Sequence, residues 1–407
     1  LLSESQAFER YKSNLKTDVI VHLAYERVEL RDYAIAAKAA CVYPNTSEEG
    51  ETSIPSLATW AGSNTPVLGW TSSEDAFVSL SSKNRAMVIP SDYFVNLVFF
   101  SGTGGFAYND QQKVVREIKP VEVKAEQNKH YVSIVMSDGD NIQWAEKGFF
   151  ASGYYGSEKR GQFPMTWTTA PALADVAPAL LGSVYKAATN NDSFFAGPSG
   201  VGYIHPSEYS QKELEEFAGY TNLYMSASDL QYMTFLDSDA WDQDYSNYLA
   251  PFAAQENIQG GLIMTGDRYA GGGGALHFVN GKPFLTFRDV LWHNNDDYEM
   301  PENAARRVIK YASECSDPTD PAGYTAIVAH AWSIGNMQGV ARFVNEINSY
   351  NANRSGSEPE IVLVTADNLL KMIEENVEHT YSGRQALSWG ADDSNFDYSG
   401  LEYDYLF

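Results

Sequence analysis

His130-Tyr-Val-Ser-Ile-Val-Met-Ser-Asp-Gly-Asp-Asn141 decides how the chain is read. Tyr131, Val132, Ile134, Val135 and Met136 form an apolar run without strict alternation, the pattern of a strand buried on both faces in a parallel sheet. The run stops at Ser137-Asp-Gly-Asp-Asn141, a polar cluster with turn chemistry, and Gln143-Trp144-Ala-Glu-Lys147 reads as the start of a helix. Ligands of α/β proteins sit beyond the carboxyl ends of parallel strands. Asp138 and Asp140 therefore stand where chemistry is expected. The competing reading is a turn carrying two solvated aspartates.

Downstream the pattern recurs. Strands are expected at Phe163–Thr168, Ser193–Pro198, Gln231–Leu236, Gly261–Thr265, Pro283–Phe287, Thr325–Ala329 and Glu360–Val364. Helices are expected between them at Ala172–Ala188, Gln211–Met225, Tyr245–Glu256, Glu302–Cys315, Met337–Ser349 and Asp367–Val377. Eight strands with helical crossovers in this length predict a (β/α)8-like barrel over residues 126–380. The link from Thr265 to Pro283, with Gly271–Gly274, lacks a clear helix and predicts an irregularity. Upstream, alternating strands and helices predict a smaller parallel α/β domain, which with its linker fills residues 1–125. In it, Arg31–Ala40 reads as one alanine-rich helix. No G-x-G-x-x-G follows its first strand, so nucleotide binding has no support. The tail 381–407 is acidic and rich in Tyr.

A chain of 407 residues suggests about two domains. Acidic side chains outnumber basic ones 53 to 28, and the formal charge of −25 repels phosphate backbones, which argues against nucleic acid. Neutral or cationic substrates stay open. The 26 Tyr and 8 Trp favour stacking on sugar rings, although aromatic side chains also fill cores. Cys41 and Cys315, far apart and in expected helices, read as two free buried thiols. No stretch reaches the roughly 18 apolar residues of a membrane span. No signal peptide is visible, and the abrupt start at Leu1-Leu2-Ser3-Glu4 reads as a mature or trimmed chain.

The ends of the expected strands carry the functional signal. Asp138 and Asp140 follow the first, Trp167 ends the second, and Gly197 to Pro206 follows the third. Asp237 and Asp239 follow the fourth, Asp267, Arg268 and Tyr269 the fifth, and Arg288, Asp289, Trp292 and His293 the sixth. His330 and Trp332 follow the seventh and Asp367 the eighth. A closed ring would bring carboxylates, aromatics, His and Arg to one rim, as glycoside cleavage requires. That reaction needs a proton donor for the leaving oxygen and a second carboxylate as nucleophile or base. Asp138, Asp140 and Asp267 are the catalytic candidates. Trp167, Tyr203, His205, Arg268, Arg288, His330 and Trp332 are the substrate-binding candidates. Asp237, Asp239 and Asp367 stand in reserve, Asp367 reading better as a helix cap.

Gly200-Val-Gly-Tyr-Ile-His-Pro206 permits tight turns at its glycines and fixes its exit at Pro206. This G-x-G-Y-x-x-P run resembles the bacterial family named for its GxGYxYP motif, described as "putative glycoside hydrolases". Ser137–Asn141 and Arg31-Asp-Tyr-Ala-Ile-Ala36 also look similar to that family, so the likeness spans about residues 18–380. Where the motif has a second Tyr, this chain has His205. The resemblance implies a carbohydrate-active, exported protein. It supplies no catalytic residue.

Other chemistries find less support. None of the histidines at 22, 130, 205, 277, 293, 330 and 379 has a partner four residues away, which argues against a zincin helix and weakens a metal-assisted deacetylase. Asp138-Gly-Asp-Asn141 is not an EF-hand, although an irregular oxygen site for Ca²⁺ near Asp138 and Asp140 stays open. No G-x-S-x-G elbow occurs. The expectation is a glycoside hydrolase that requires no cofactor, with a non-catalytic glycan-binding protein or a metal-assisted carbohydrate deacetylase as alternatives.

Overall fold

The computed structural model describes residues 2–24, 27–43, 47–71, 73–150, 153–237, 246–292 and 300–379. The expected tail 381–407, and with it Asp239 and His293, lies outside the described residues.

Four short strands, β1 (Ile20–His22), β2 (Ala40–Val42), β3 (Thr65–Gly69) and β4 (Ala86–Ile89), form a parallel sheet in the order β2-β1-β3-β4. Alternate residues serve opposite faces. Ile20, Ala40, Val67 and Val88 pack against Leu57 and Phe77 of the helices at Ser47–Ala61 and Glu74–Lys83. Val21, Leu68, Met87 and Ile89 point the other way, into a core continuous with the larger domain. The alanine-rich helix is shorter than the sequence suggests. Lys38 takes the left-handed conformation (φ 56°) and ends it, releasing Ala40–Val42 to pair with β1. Cys41 therefore lies in a strand and Cys315 at a helix end; both thiols are free and half-buried.

The larger sheet contains β5 (Lys129–Met136), β6 (Met165–Thr169), β7 (Asp192–Ala196), β8 (Tyr232–Leu236), β9 (Gly260–Met264), β10 (Leu276–Val279), β11 (Lys282–Thr286), β12 (Asp289–Leu291), β13 (Tyr324–Ala329) and β14 (Glu360–Leu363). The hydrogen-bonded path runs β10-β11-β9-β8-β7-β6-β5-β13-β12. Every pairing is parallel except the β10–β11 hairpin, which occupies the helix-poor link. Only Phe287 and Arg288 separate β11 from β12. Phe287 N–H donates to the Ile263 carbonyl (3.1 Å) and Arg288 N–H to that of Ala326 (2.9 Å). One segment thus leaves β9 for β13, and the sheet curls back on itself as a (β/α)8-like barrel.

Parity along the strands divides the two faces. Tyr131, Val135, Phe195, Leu262, Met264, Leu285, Tyr324 and Val328 share the barrel interior. Val132, Ile134, Trp167, Phe194, Met233, Phe235, Ile263 and Ile327 face the surrounding helices, each large side chain contributing about 1.5–3 kcal/mol by burial. β14 differs from an eighth stave. It pairs only with Lys129–Val132, the first half of β5, on the edge where β6 takes Val135 and Met136. The helix that follows (Ala366–Asn376) turns Leu369, Leu370 and Ile373 into the interior cluster, and Ala366 N–H donates to Thr166 Oγ1 (2.8 Å). It seals the end where the strands begin.

The two domains are stitched at the small sheet's edge. Val88 of β4 and Tyr203 exchange backbone hydrogen bonds of 3.0 and 2.7 Å. The Tyr209 hydroxyl donates to the Ala86 carbonyl (2.9 Å), and Ile142 N–H to that of Pro90 (3.0 Å). An otherwise open strand edge is thereby covered.

Candidate active site between the domains

The Ser137–Asn141 turn is locked from two sides. Gly139 lies so close to β6 that an added Cβ would fall 1.7 Å from the Thr168 carbonyl oxygen. Its N–H donates to Thr168 Oγ1 (2.8 Å), whose hydroxyl donates to the Met136 carbonyl (2.9 Å). A Cβ on Gly197 would lie 2.9 Å from that of Asp140. The close approach tolerates no side chain at Gly139, and Asp138 takes a left-handed φ of 68°.

Asp138 keeps 17% of its side chain open. Ser137 Oγ donates to its Oδ2, and His330 Nε2 stands 3.9 Å from the same oxygen. The His330 ring lies flat on Trp292 (centroids 4.0 Å, 8° between planes) and meets the edge of Tyr269, while Nδ1 bonds Ser333 Oγ at 2.7 Å. Tyr154, whose hydroxyl donates to the Ala331 carbonyl, is also close enough for the Asp138 charge to raise its pKa, although burial is the larger cause. Asp140 is buried. Desolvation, then the charges of Asp138 and Glu74, hold its pKa well above the carboxylate range.

Glu74 completes the group from the other domain. β3 ends at Gly69, whose φ of 134° admits the chain against the His22 carbonyl, and the next helix opens at Glu74. Tyr203 donates its hydroxyl to Glu74 Oε1 at 3.2 Å while stacking on Trp70. Glu74 is exposed, so it faces water in the cleft, yet protein crowds it closely. Desolvation, then the Asp138 charge, raises its pKa to about 7, against the lowering effect of the Tyr203 hydrogen bond. Asp92, after β4, is lifted to about 6 by burial and accepts from Gln143 Nε2 at 3.3 Å. The sequence reading missed Glu74 because it followed only the ends of the barrel strands. The signal was present: a carboxylate five residues beyond the end of a parallel strand.

The structure brings Asp138, Asp140, His330 and Tyr203 together with Glu74. Other sequence candidates lie elsewhere. Trp167 is fully buried on the outer face, its Nε1 donating to Asp192 at 2.9 Å. Arg288 is 3% exposed and donates to the Ala322 carbonyl (3.1 Å), beside the start of β13 and away from the strand ends. His205 is buried behind Tyr203. Its N–H donates to Ser82 Oγ (2.9 Å), its ring pairs with Glu208 (3.3 Å), and burial lowers its pKa. Arg268 takes a left-handed conformation (φ 50°) after β9, next to Asp267, whose side chain lies outside the described ones. Trp332 is 45% exposed, its ring 5.4 Å from Trp144. Asp237 accepts from Ser207 N–H and Oγ and holds that turn. Asp289 pairs with Arg307. Asp367 sits at the sealed end. Its strand stops level with Val132, four residues or about 13 Å before β5 ends.

Burial and neighbouring charge raise the pKa of both Asp140 and Glu74, so the recess holds protons that solvated carboxyl groups would release. Among the described residues no group of three His, Cys, Asp or Glu side chains is placed to hold a metal ion. No described helix is long and apolar enough to cross a membrane.

An α/β barrel whose carboxyl edge confronts that of a smaller parallel sheet, with acids and aromatics between them, defines a class of cleft protein. Residues 128–374 match the family model described as "GxGYxYP putative glycoside hydrolase C-terminal domain", and residues 17–102 match the "GxGYxYP third domain". The chain belongs to the GxGYxYP family. It is similar to a crystal structure described as a "putative hydrolase" from Bacteroides thetaiotaomicron VPI-5482, at 25% identity and a TM-score of 0.79, covering 92% of this chain and 70% of that one. A 4-alpha-glucanotransferase from Thermococcus litoralis aligns over 60% of this chain and 40% of its own, at 12% identity and a TM-score of 0.36. No curated protein matches.

Proposed function

We propose that the protein hydrolyses a glycosidic bond in the interdomain cleft, with Asp138 as the carboxylate that acts as nucleophile or base. The observation carrying this reading is the convergence of Asp138, Asp140 and Glu74 beside half-buried aromatic rings. Asp138 is the accessible aspartate of the turn, and Ser137 and His330 steady its carboxylate. Asp140 supports the loop from behind and resists ionisation, which limits the negative charge around Asp138. Trp332, 45% exposed, offers a face on which a sugar ring can stack. Family membership supports the same reaction class. We place the protein outside the cytoplasm, where glycan polymers are met, and treat Asp267 and Arg268 as further cleft contacts.

The test is release of reducing sugar from a glycan panel. Asp138→Asn should cut turnover by about 10³-fold or more, with circular dichroism unchanged and retained saturable binding of the same glycan. A chelator should leave turnover intact. Saturable binding without product from any glycan would instead establish a glycan-binding protein, and loss of activity with chelator would establish metal assistance, with Asp138 and Asp140 as first suspects for an ion.

A further inference from the structure

We infer that Glu74, carried by the small domain, is the proton donor of this site, and that Tyr203 of the G-x-G-Y motif is the residue that positions it. The inference rests on the hydrolytic reading above and adds a catalytic residue to it. Glu74 is open to the cleft, whereas Asp140 is walled in behind Gly197 and Asp138 is engaged by the Ser137 hydroxyl and faced by the His330 imidazole. The Tyr203 hydroxyl fixes one Glu74 oxygen at 3.2 Å and leaves the other for a ligand. Tyr203 itself cannot wander. Its backbone is paired with Val88, and its ring is wedged between Trp70 and His205. The groups facing Glu74 are Asp138 and Asp140 from the barrel, Asp75 from its own helix and Tyr203 from the motif loop. Burial first, then the charge of Asp138, lets the Glu74 carboxyl hold its proton up to about pH 7.

In the reaction Glu74 gives its proton to the bridging oxygen as the bond to the anomeric carbon breaks, and the bonding pair stays on the leaving oxygen. Water supplies a hydroxyl to the anomeric carbon, and its remaining proton returns to the carboxylate pair. Overall one water is added and no oxidant or reductant is needed.

Leaving-group dependence tests this. On glycosides with poor leaving groups, Glu74→Gln should lower kcat/KM by about 10²–10⁴-fold. On the matching 2,4-dinitrophenyl glycosides, whose departure needs no proton, the loss should be under about tenfold. Asp138→Asn should abolish both. Equal losses on both substrates for Glu74→Gln would overturn the assignment while leaving hydrolysis at Asp138 standing. Absence of cleavage by the unaltered protein would overturn both readings. Carboxyl ¹³C NMR of the whole chain gives a check independent of turnover: a group titrating near neutrality should vanish in Glu74→Gln and move to lower pH in Asp138→Asn. Tyr203→Phe, which removes a hydrogen bond favouring the ionised form, should move that titration and the alkaline limb of kcat/KM to higher pH. A Tyr203→Phe titration unchanged from the unaltered protein would remove Tyr203 from its positioning role.

Discussion

Asp140 shows how a single side chain can oppose the stability of the fold that holds it. Its folded pKa is raised, so the folded state binds its proton more tightly than the unfolded chain does. That contribution to stability is complete below the unfolded carboxylate range and is lost as pH rises through the folded value. Asp140→Asn, which carries no charge, should therefore be more stable than the native protein at pH 8, by on the order of 1 kcal/mol. The advantage should shrink towards pH 4, a trend that thermal melts across pH will reveal. A gap independent of pH would mean that packing, not charge, separates the two.

The Ser137–Asn141 turn is the element on which the site depends, and it was the most legible part of the sequence. An apolar strand followed by Asp-Gly-Asp announced both the fold and two of the clustered acids. Gly139→Ala should displace the turn and cost about 3 kcal/mol or more, since the added methyl meets a backbone carbonyl that cannot retreat without breaking β6. A chemical melt will show the loss, and a fold retained at full activity would mean the turn relocates freely. What was illegible follows from parity and register. Trp167 and Thr168 are adjacent in sequence, yet only the threonine side chain faces inward; nothing in an unbroken apolar strand reveals which residue does. Arg288 sits where the chain changes partners between β9 and β13, a switch with no sequence mark. Asp367 follows a strand of ordinary appearance whose register stops short. Glu74 was hidden for another reason: its relevance depends on one domain facing another.

That facing arrangement is a property of the whole molecule. Val21, Leu68, Met87 and Ile89 of the small sheet share a core with Phe149, Trp167 and Phe217 of the barrel layer. Separating the domains would expose that surface, so neither half has a complete core of its own. Calorimetry on the intact chain should accordingly give one cooperative unfolding transition. Two resolved transitions would show that the shared core contributes little. The (β/α)8-like barrel and the smaller parallel domain were both readable from alternating strands and helices, because that alternation is local. Their mutual orientation is set by Tyr203, Tyr209 and Val88, which meet only after both domains have formed.

The helix at Ala366–Asn376 stoppers one end of the cylinder, and the interior above it is packed with side chains. Nothing can be threaded through. If the cleft cleaves a polymer, the strand must lie across the mouth of the cylinder and not along its bore.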